Sequence, residues 1–158
     1  MILNPKVETA LNEQVNVEWF AAYFYAALAN WADFNAYPGL KAWADTASQE
    51  ERTHAQAFTD YLNDRGRVTL TPIAAPPQDW ATYQAALEAA LEAEQAVTKH
   101  LTLVADVAGA ANDGATVLLA NEWIKQEQIP SEKEIADYLK IIARGAPIDL
   151  LDAQLYEG

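Results

Sequence analysis

Glu51 and His54 stand three residues apart in Gln49-Glu50-Glu51-Arg52-Thr53-His54, a spacing that puts a carboxylate and an imidazole on one face of a helix. That face is otherwise apolar: Trp43 and Ala47 precede the pair, and Phe58, Tyr61 and Leu62 follow it. Unpartnered polar groups in a dry core are costly, so both residues require partners from elsewhere in the chain. Three further stretches of helical patterning supply candidates, each with a polar residue inside its apolar stripe. Glu18 lies midway between Leu11 and Tyr25, Glu94 between Ala90 and Val97, and Gln128 near the centre of the last long stretch.

Midpoints of packed antiparallel helices meet at one height, so these groups converge. Three carboxylates and an imidazole in a low-dielectric core cannot all remain bare ions, because the anions repel one another. A pair of di- or trivalent cations resolves the conflict, and an oxygen-rich donor set with one imidazole suits iron better than a soft metal. Glu51, with two oxygens and a central place, is positioned to bridge two irons. Glu18 and His54 would complete one iron and Glu94 the other. The last helix carries Gln128-Ile129-Pro130-Ser131 where a symmetric centre would have a second Glu-x-x-His. A lopsided centre is therefore expected, with a weaker second position that favours release of oxidised iron over its retention.

Each residue alone has a plainer reading. A lone Glu-x-x-His recurs by chance, Glu51 could pair with Arg52 or Arg65, and Gln128 could be a satisfied core amide. The coincidence on four helices carries the metal reading. Tyr25 packs by default, with Glu94 within reach as a hydrogen-bond partner and a redox role open beside it. His100 falls outside the inner stripe and reads as a surface residue, and Trp123 as packing. Glu127, Glu132 and Glu134 read as solvated surface or the lining of a cage.

Four long helices must position these groups, at about 5–34, 40–65, 79–108 and 115–144, with a short fifth at about 148–156. Asn4-Pro5 reads as a helix start, Asn35-Ala36-Tyr37-Pro38-Gly39 as a turn, Gly66 as a left-handed helix end and Asp79 as a cap. Residues 67–78, with Pro72, Pro76 and Pro77, read as an extended connection able to span a helix length. One long crossover makes an all-α four-helix bundle with up-down-down-up order. Pro130 removes a backbone bond in the fourth helix, so a kink or local bulge is expected there.

The 158 residues suit one domain. With 10 basic against 23 acidic residues and a formal net charge of −13, nucleic acid and anionic membranes are poor partners. Cys is absent, which excludes disulfides, thiolate metal sites and cysteine nucleophiles. The first residues show no signal pattern and no apolar run has membrane-spanning length, so a cytoplasmic location is expected.

With these residues in view, the chain resembles the non-haem ferritins along nearly its whole length. Leu11-Asn12-Glu13-Gln14 followed by Glu18, Gln49-Glu50-Glu51 with His54, Glu94-Gln95, and Trp123 with Glu127-Gln128 stand at that family's spacing. The resemblance implies a ferritin-like bundle, a homo-oligomeric cage of 24 subunits, and ferroxidase chemistry. In that chemistry Fe(II) is oxidised by dioxygen or peroxide and stored as ferric mineral. It implies Glu18, Glu51 and His54 as the first iron site, Glu51 with Glu94 as the second, Gln128 as a polar contact and Tyr25 as the site tyrosine. Two other readings remain: a di-iron oxidoreductase or peroxidase that keeps its iron, and a non-catalytic cage subunit.

The chain departs from that pattern in several places. Ser131 stands where bacterial members usually carry Glu, and Pro130 where they carry another acid. The third iron site is thereby left with Glu50 and Glu127. Gln128 with Ser131 is closer to the animal heavy-chain centre. Leu118 and Asn121 stand at the acidic three-fold channel positions of animal ferritins, and Thr53 and Gln56 at their nucleation acids. Met1 is the only Met, and Arg52 stands where bacterioferritins place their haem-ligating Met, so no haem is expected.

Overall fold

Asn4 and Pro5 open the first helix. The Asn4 side chain accepts from the Lys6 N–H, and Pro5 takes a position where its missing N–H is no loss. The computed structural model describes residues 3–157, so Met1 lies outside the described residues. α1 spans Pro5–Phe34, α2 Pro38–Arg65, α3 Tyr83–Ala110, α4 Gly114–Trp123, α5 Ile129–Ala143 and α6 Ile148–Glu157. A π-helical turn, Ile124–Gln128, runs α4 into α5, so the two act as one long fourth member. The fold is an all-α four-helix bundle with a short final helix. Among the described residues no helix is long and apolar enough to cross a membrane.

The start of α1 and the ends of α2 and α3 share one apolar cluster, built on Leu11, Phe58, Leu62, Leu101 and Val104. The end of α1 and the starts of α2 and α3 share another, built on Tyr25, Leu28, Leu40, Tyr83 and Leu87 and closed by Leu151 and Leu155 of α6. α2 and α3 therefore run in the same direction, as the long crossover requires. Between the two clusters lies a buried polar layer of Gln14, Glu18, Ser48, Glu51, Glu94 and Gln128.

The crossover is clamped to α1 by two amides one turn apart. Asn12 donates to the Arg67 carbonyl (2.9 Å) and accepts from the Thr69 N–H (2.6 Å), while Asn16 donates to Thr71 Oγ1 (2.9 Å) and the Pro72 carbonyl (3.0 Å). Each such bond contributes about 1 kcal/mol net. Asn12→Ala is therefore expected to lower stability by about 1–2 kcal/mol and to speed proteolysis within residues 67–78. A melting curve and a limited digest check both.

Three helix ends differ from the sequence reading. α3 begins at Tyr83 and not at Asp79, with Thr82 as its cap accepting from Ala85 N–H at 3.0 Å. Thr82 is extended (φ −146°, ψ 164°), and just before it the Trp80 indole is held edge-on between Phe24 and Trp31 at 5.7 and 5.8 Å. α2 begins within the expected turn, at Pro38. Gly66 ends α2 in extended backbone (φ −160°) instead of the left-handed form. Its missing Cβ matters for space, because a Cβ there would stand 2.5 Å from Glu8 Oε2. The expected distortion near Pro130 is present as the π turn just before it.

Candidate metal centre

Glu18 of α1 and Glu51 and His54 of α2 meet in the polar layer. Each offers one ligand atom, and the three atoms lie within 4.8 Å of one another. His54 Nδ1 is 3.2 Å from Glu51 Oε2 and 3.9 Å from Glu18 Oε2. Glu18 is fully buried; its Oε1 accepts from Gln14 Nε2 at 2.9 Å, and its Oε2 has no hydrogen-bond partner. Arg65, a possible partner for Glu51, is committed elsewhere, to Asp113 at 3.0 Å. Arg52 is exposed. No basic residue forms an ion pair with Glu18, Glu51 or Glu94 among the described residues, apart from His54.

Glu94 of α3 stands beside this trio and is held by two donors. Tyr25 O–H donates to Oε1 at 2.6 Å and Gln128 Nε2 to Oε2 at 2.9 Å. Gln128 also donates to the Glu94 carbonyl at 3.1 Å, so the π turn places it where it secures both the backbone and the carboxylate of α3. π-helical turns are frequent at functional sites. Ser131 and Glu50 line a cleft of about 430 Å³ that reaches Glu51 and Glu94 from outside, bordered also by Trp43, Glu134 and Leu155.

Burial and mutual repulsion raise the proton affinity of the carboxyl groups of this layer. Burial, with the neighbouring Glu51 carboxylate, pushes the Glu18 carboxyl well above the usual range. Burial and then Glu51 push Glu94 up to about 7, against the opposing bonds from Tyr25 and Gln128. Burial and Glu94 push the Tyr25 phenol up, which keeps it a donor. Burial alone would lower His54, but Glu51, with Glu127 and Glu50, outweighs it and raises the imidazole. Burial likewise raises Glu50.

These shifts share a sign. Glu94 rises from 4.5 to about 7 on folding, so the fold favours its protonated form. That stabilisation is complete below the unfolded value and is lost as pH rises through the folded one. Glu18 and His54 act in the same direction. The metal-free protein is therefore expected to melt at a higher temperature near pH ~5.5 than near pH ~7.5. A divalent ion must displace those protons, so its binding should weaken as pH falls below about 7. Calorimetric scans with and without Zn(II) across this range test both statements.

The remaining predicted residues fall as follows. His54 Nε2 lies 3.5 Å from Glu127 Oε2, so Glu127 reaches the outer side of the imidazole. Trp123 packs edge-on to His54 at 5.2 Å and on Phe58 at 4.6 Å. Glu134 accepts from the Trp43 indole at 2.6 Å and Tyr138 at 2.8 Å, and Glu132 from Thr98 at 2.7 Å, so neither is simply solvated. His100 is not a free surface residue. Its side chain is 17% exposed and its Nδ1 lies 2.7 Å from Gln14 Oε1. Gln14, which the sequence presents within Leu11-Asn12-Glu13-Gln14 but with no role of its own, stands one turn before Glu18 and donates to it.

A family model described as a ferritin-like domain matches residues 8–145. A bacterial non-heme ferritin of Staphylococcus saprophyticus is 35% identical over 144 residues, covering 90% of this chain and 86% of the relative. One of Staphylococcus aureus strain USA300 is 31% identical over the same length and coverage. Among solved structures, an open-pore ferritin from the hyperthermophilic archaeon Archaeoglobus fulgidus superposes with a TM-score of 0.92 at 31% identity, over 98% of this chain and 96% of that one.

Proposed function

This chain belongs to the ferritin family, and from that premise we propose that it oxidises Fe(II) and stores the product as ferric mineral inside a shell of its own copies. One observation carries the reading: Glu18 Oε2, buried and without a hydrogen-bond partner, faces Glu51 and His54. A buried carboxylate oxygen left unsatisfied is costly, and a metal ion at that point satisfies it.

Iron is the substrate in this scheme. Glu18, Glu51 and His54 through Nδ1 hold the first Fe(II), and their donors already stand together. Glu51 and Glu94 hold the second, with Gln128 as a polar contact. At both positions the ion must displace protons, and at the second it must also free a Glu94 oxygen from Tyr25 or Gln128. The first position is thus prepared and the second must be assembled, which makes the centre lopsided. Each Fe(II) gives up one electron; dioxygen takes two electrons and two protons and becomes hydrogen peroxide, or hydrogen peroxide takes two electrons and two protons and becomes two waters. Tyr25, hydrogen-bonded to Glu94, is an aromatic beside the centre able to supply a further electron.

Glu50 and Glu127 form a weak third position, since Ser131 brings no carboxylate to it. Leu118 and Asn121 likewise bring none to a three-fold channel. An open pore, as in the Archaeoglobus relative, would make that channel unnecessary. The full reading is one ferritin-like domain over residues 1–158, a shell of 24 copies, a cytoplasmic location and no haem.

A crystal soaked in Fe(II) tests the site. Anomalous peaks among Glu18, Glu51, His54 and Glu94 support it, and their absence removes it. A third peak at Glu50 and Glu127 would show that position to fill despite Ser131. Size-exclusion chromatography separates a shell from a monomer.

A further inference from the structure

We propose that His100 is a positioning residue for the iron site: through Gln14 it fixes Glu18 so that one carboxylate oxygen is tied and the other is left for the metal. The inference rests on the reading of Glu18 as an iron ligand.

Gln14 lies one helical turn before Glu18 and is fully buried. Its amide has two ends with opposite demands. Nε2 donates to Glu18 Oε1 at 2.9 Å, so Oε1 is turned away and, being buried, needs a donor of its own. His100 of α3 supplies it, with Nδ1 at 2.7 Å. The direction of the chain is set by Glu18. When that carboxylate is an anion, as metal binding requires, it can only accept. A reversed Gln14 would set oxygen against oxygen. His100 must therefore carry its proton on Nδ1. The outer nitrogen, Nε2, faces Glu13 Oε2 at 3.4 Å, on a side chain that is 58% exposed. A cleft of about 600 Å³ between α1 and the crossover reaches the ring from outside, past Glu13, Asn16 and Thr69.

The result for the site is specific. Glu18 Oε1 is occupied and Oε2 is free, so Glu18 enters the metal's coordination through one oxygen. Without the His100 donor, Gln14 Oε1 is a buried orphan. Rotating the amide to relieve it presents the wrong atom to Glu18. Metal-bound residues are commonly held by partners one layer further out, whose loss costs about 10–100-fold in metal affinity.

Titration with Co(II), followed by its visible absorption, tests the chain without relying on oxidation. His100→Phe keeps a ring and removes the donor, and should weaken Co(II) binding about tenfold and alter the spectrum. His100→Asn places an amide N–H near the former Nδ1 and should recover binding to within about twofold of the parent, a rescue that ring packing alone would not produce. Gln14→Met should weaken binding as His100→Phe does, and the double variant should be no weaker than either, because both act on one path. Should His100→Phe fail to assemble, His100→Leu, which also lacks the donor, takes its place against His100→Asn. Parent-like binding in His100→Phe, or loss in His100→Asn equal to that in His100→Phe, overturns the proposal. So do losses that multiply in the double variant. Glu18→Gln separates the two levels. If it binds Co(II) like the parent, the iron-site reading itself fails. If it loses binding while His100→Phe does not, only the role of His100 fails.

Discussion

Glu51→Gln should stop fast Fe(II) oxidation and leave the protein folded, with a metal-free form at least as stable as the parent. Glu51 is buried between Glu18 and Glu94 and lies 3.2 Å from His54. In the proposed centre it is the one residue shared by both irons. An amide of the same shape keeps the packing but removes a charge that both positions need. The rate should fall by more than the roughly 100-fold that losing an outer partner can cost. In the absence of metal the same change relieves crowding among three buried carboxylates. The amide no longer repels Glu18 and Glu94, and its carbonyl oxygen can still face His54. His54→Ala should match the kinetic loss by removing the only imidazole of the trio. Oxygen consumption after Fe(II) addition, set beside a melting curve, reads both effects. An unchanged oxidation rate in Glu51→Gln would sink the assignment of the centre.

Gly39→Ala is expected to be the most damaging conservative change away from the metal centre. A Cβ at Gly39 would stand 1.7 Å from the carbonyl oxygen of Asp152 and 2.9 Å from the backbone nitrogen of Tyr156. Both are backbone atoms of α6, so the helix must lift as a unit. With it go the buried Leu151 and Leu155, each worth about 2 kcal/mol. The buried Asp152 carboxylate also leaves. It accepts from the Gly39 and Leu40 N–H groups at 2.9 and 2.8 Å and from Tyr83 O–H at 3.1 Å. α2 has no other side-chain cap at its start, so these donors would be orphaned. A loss of about 4 kcal/mol or more follows, a fall on the order of 10 °C in Tm for a chain of this size. Gly114→Ala, where a Cβ meets nothing within 4 Å, is the matched control. If the two variants melt alike, α6 does not depend on this contact. Leu155 also borders the cleft to Glu51 and Glu94, so Gly39→Ala should make access to the centre less selective.

The meeting of Glu18, Glu51 and His54 is legible in the sequence because each interrupts an apolar stripe with the period of a helix, and a bundle brings helix midpoints together. The start of α2 was not legible. Pro38-Gly39 carries a turn signal, and what makes it a helix start is Asp152, 113 residues away from Gly39 in the chain. His100 was misread for a related reason. Periodicity reports apolar burial, whereas His100 is held by one amide of another helix. The fourth helix shows a third kind of limit. On a regular helix at about 100° per residue, Ala120 and Gln128 point about 80° apart; a wider turn that takes up one residue brings them within about 20°. The structure buries both, and the π turn between them is the reason. Pro130 announced a disturbance but not its size, because a missing N–H is compatible with either a kink or an inserted residue.

The polar layer that divides the core also sets how the molecule opens. Two apolar clusters that share no side chains across the middle can exchange their amides with solvent as separate cooperative units. Between them stand carboxylates that repel one another. In the proposed centre a cation held by α1, α2 and α3 at that height would act as a rivet, so that neither end could loosen without breaking metal–oxygen bonds. Loading with iron would then do more than start the chemistry. It would convert a rod that frays from both ends into one that opens as a whole.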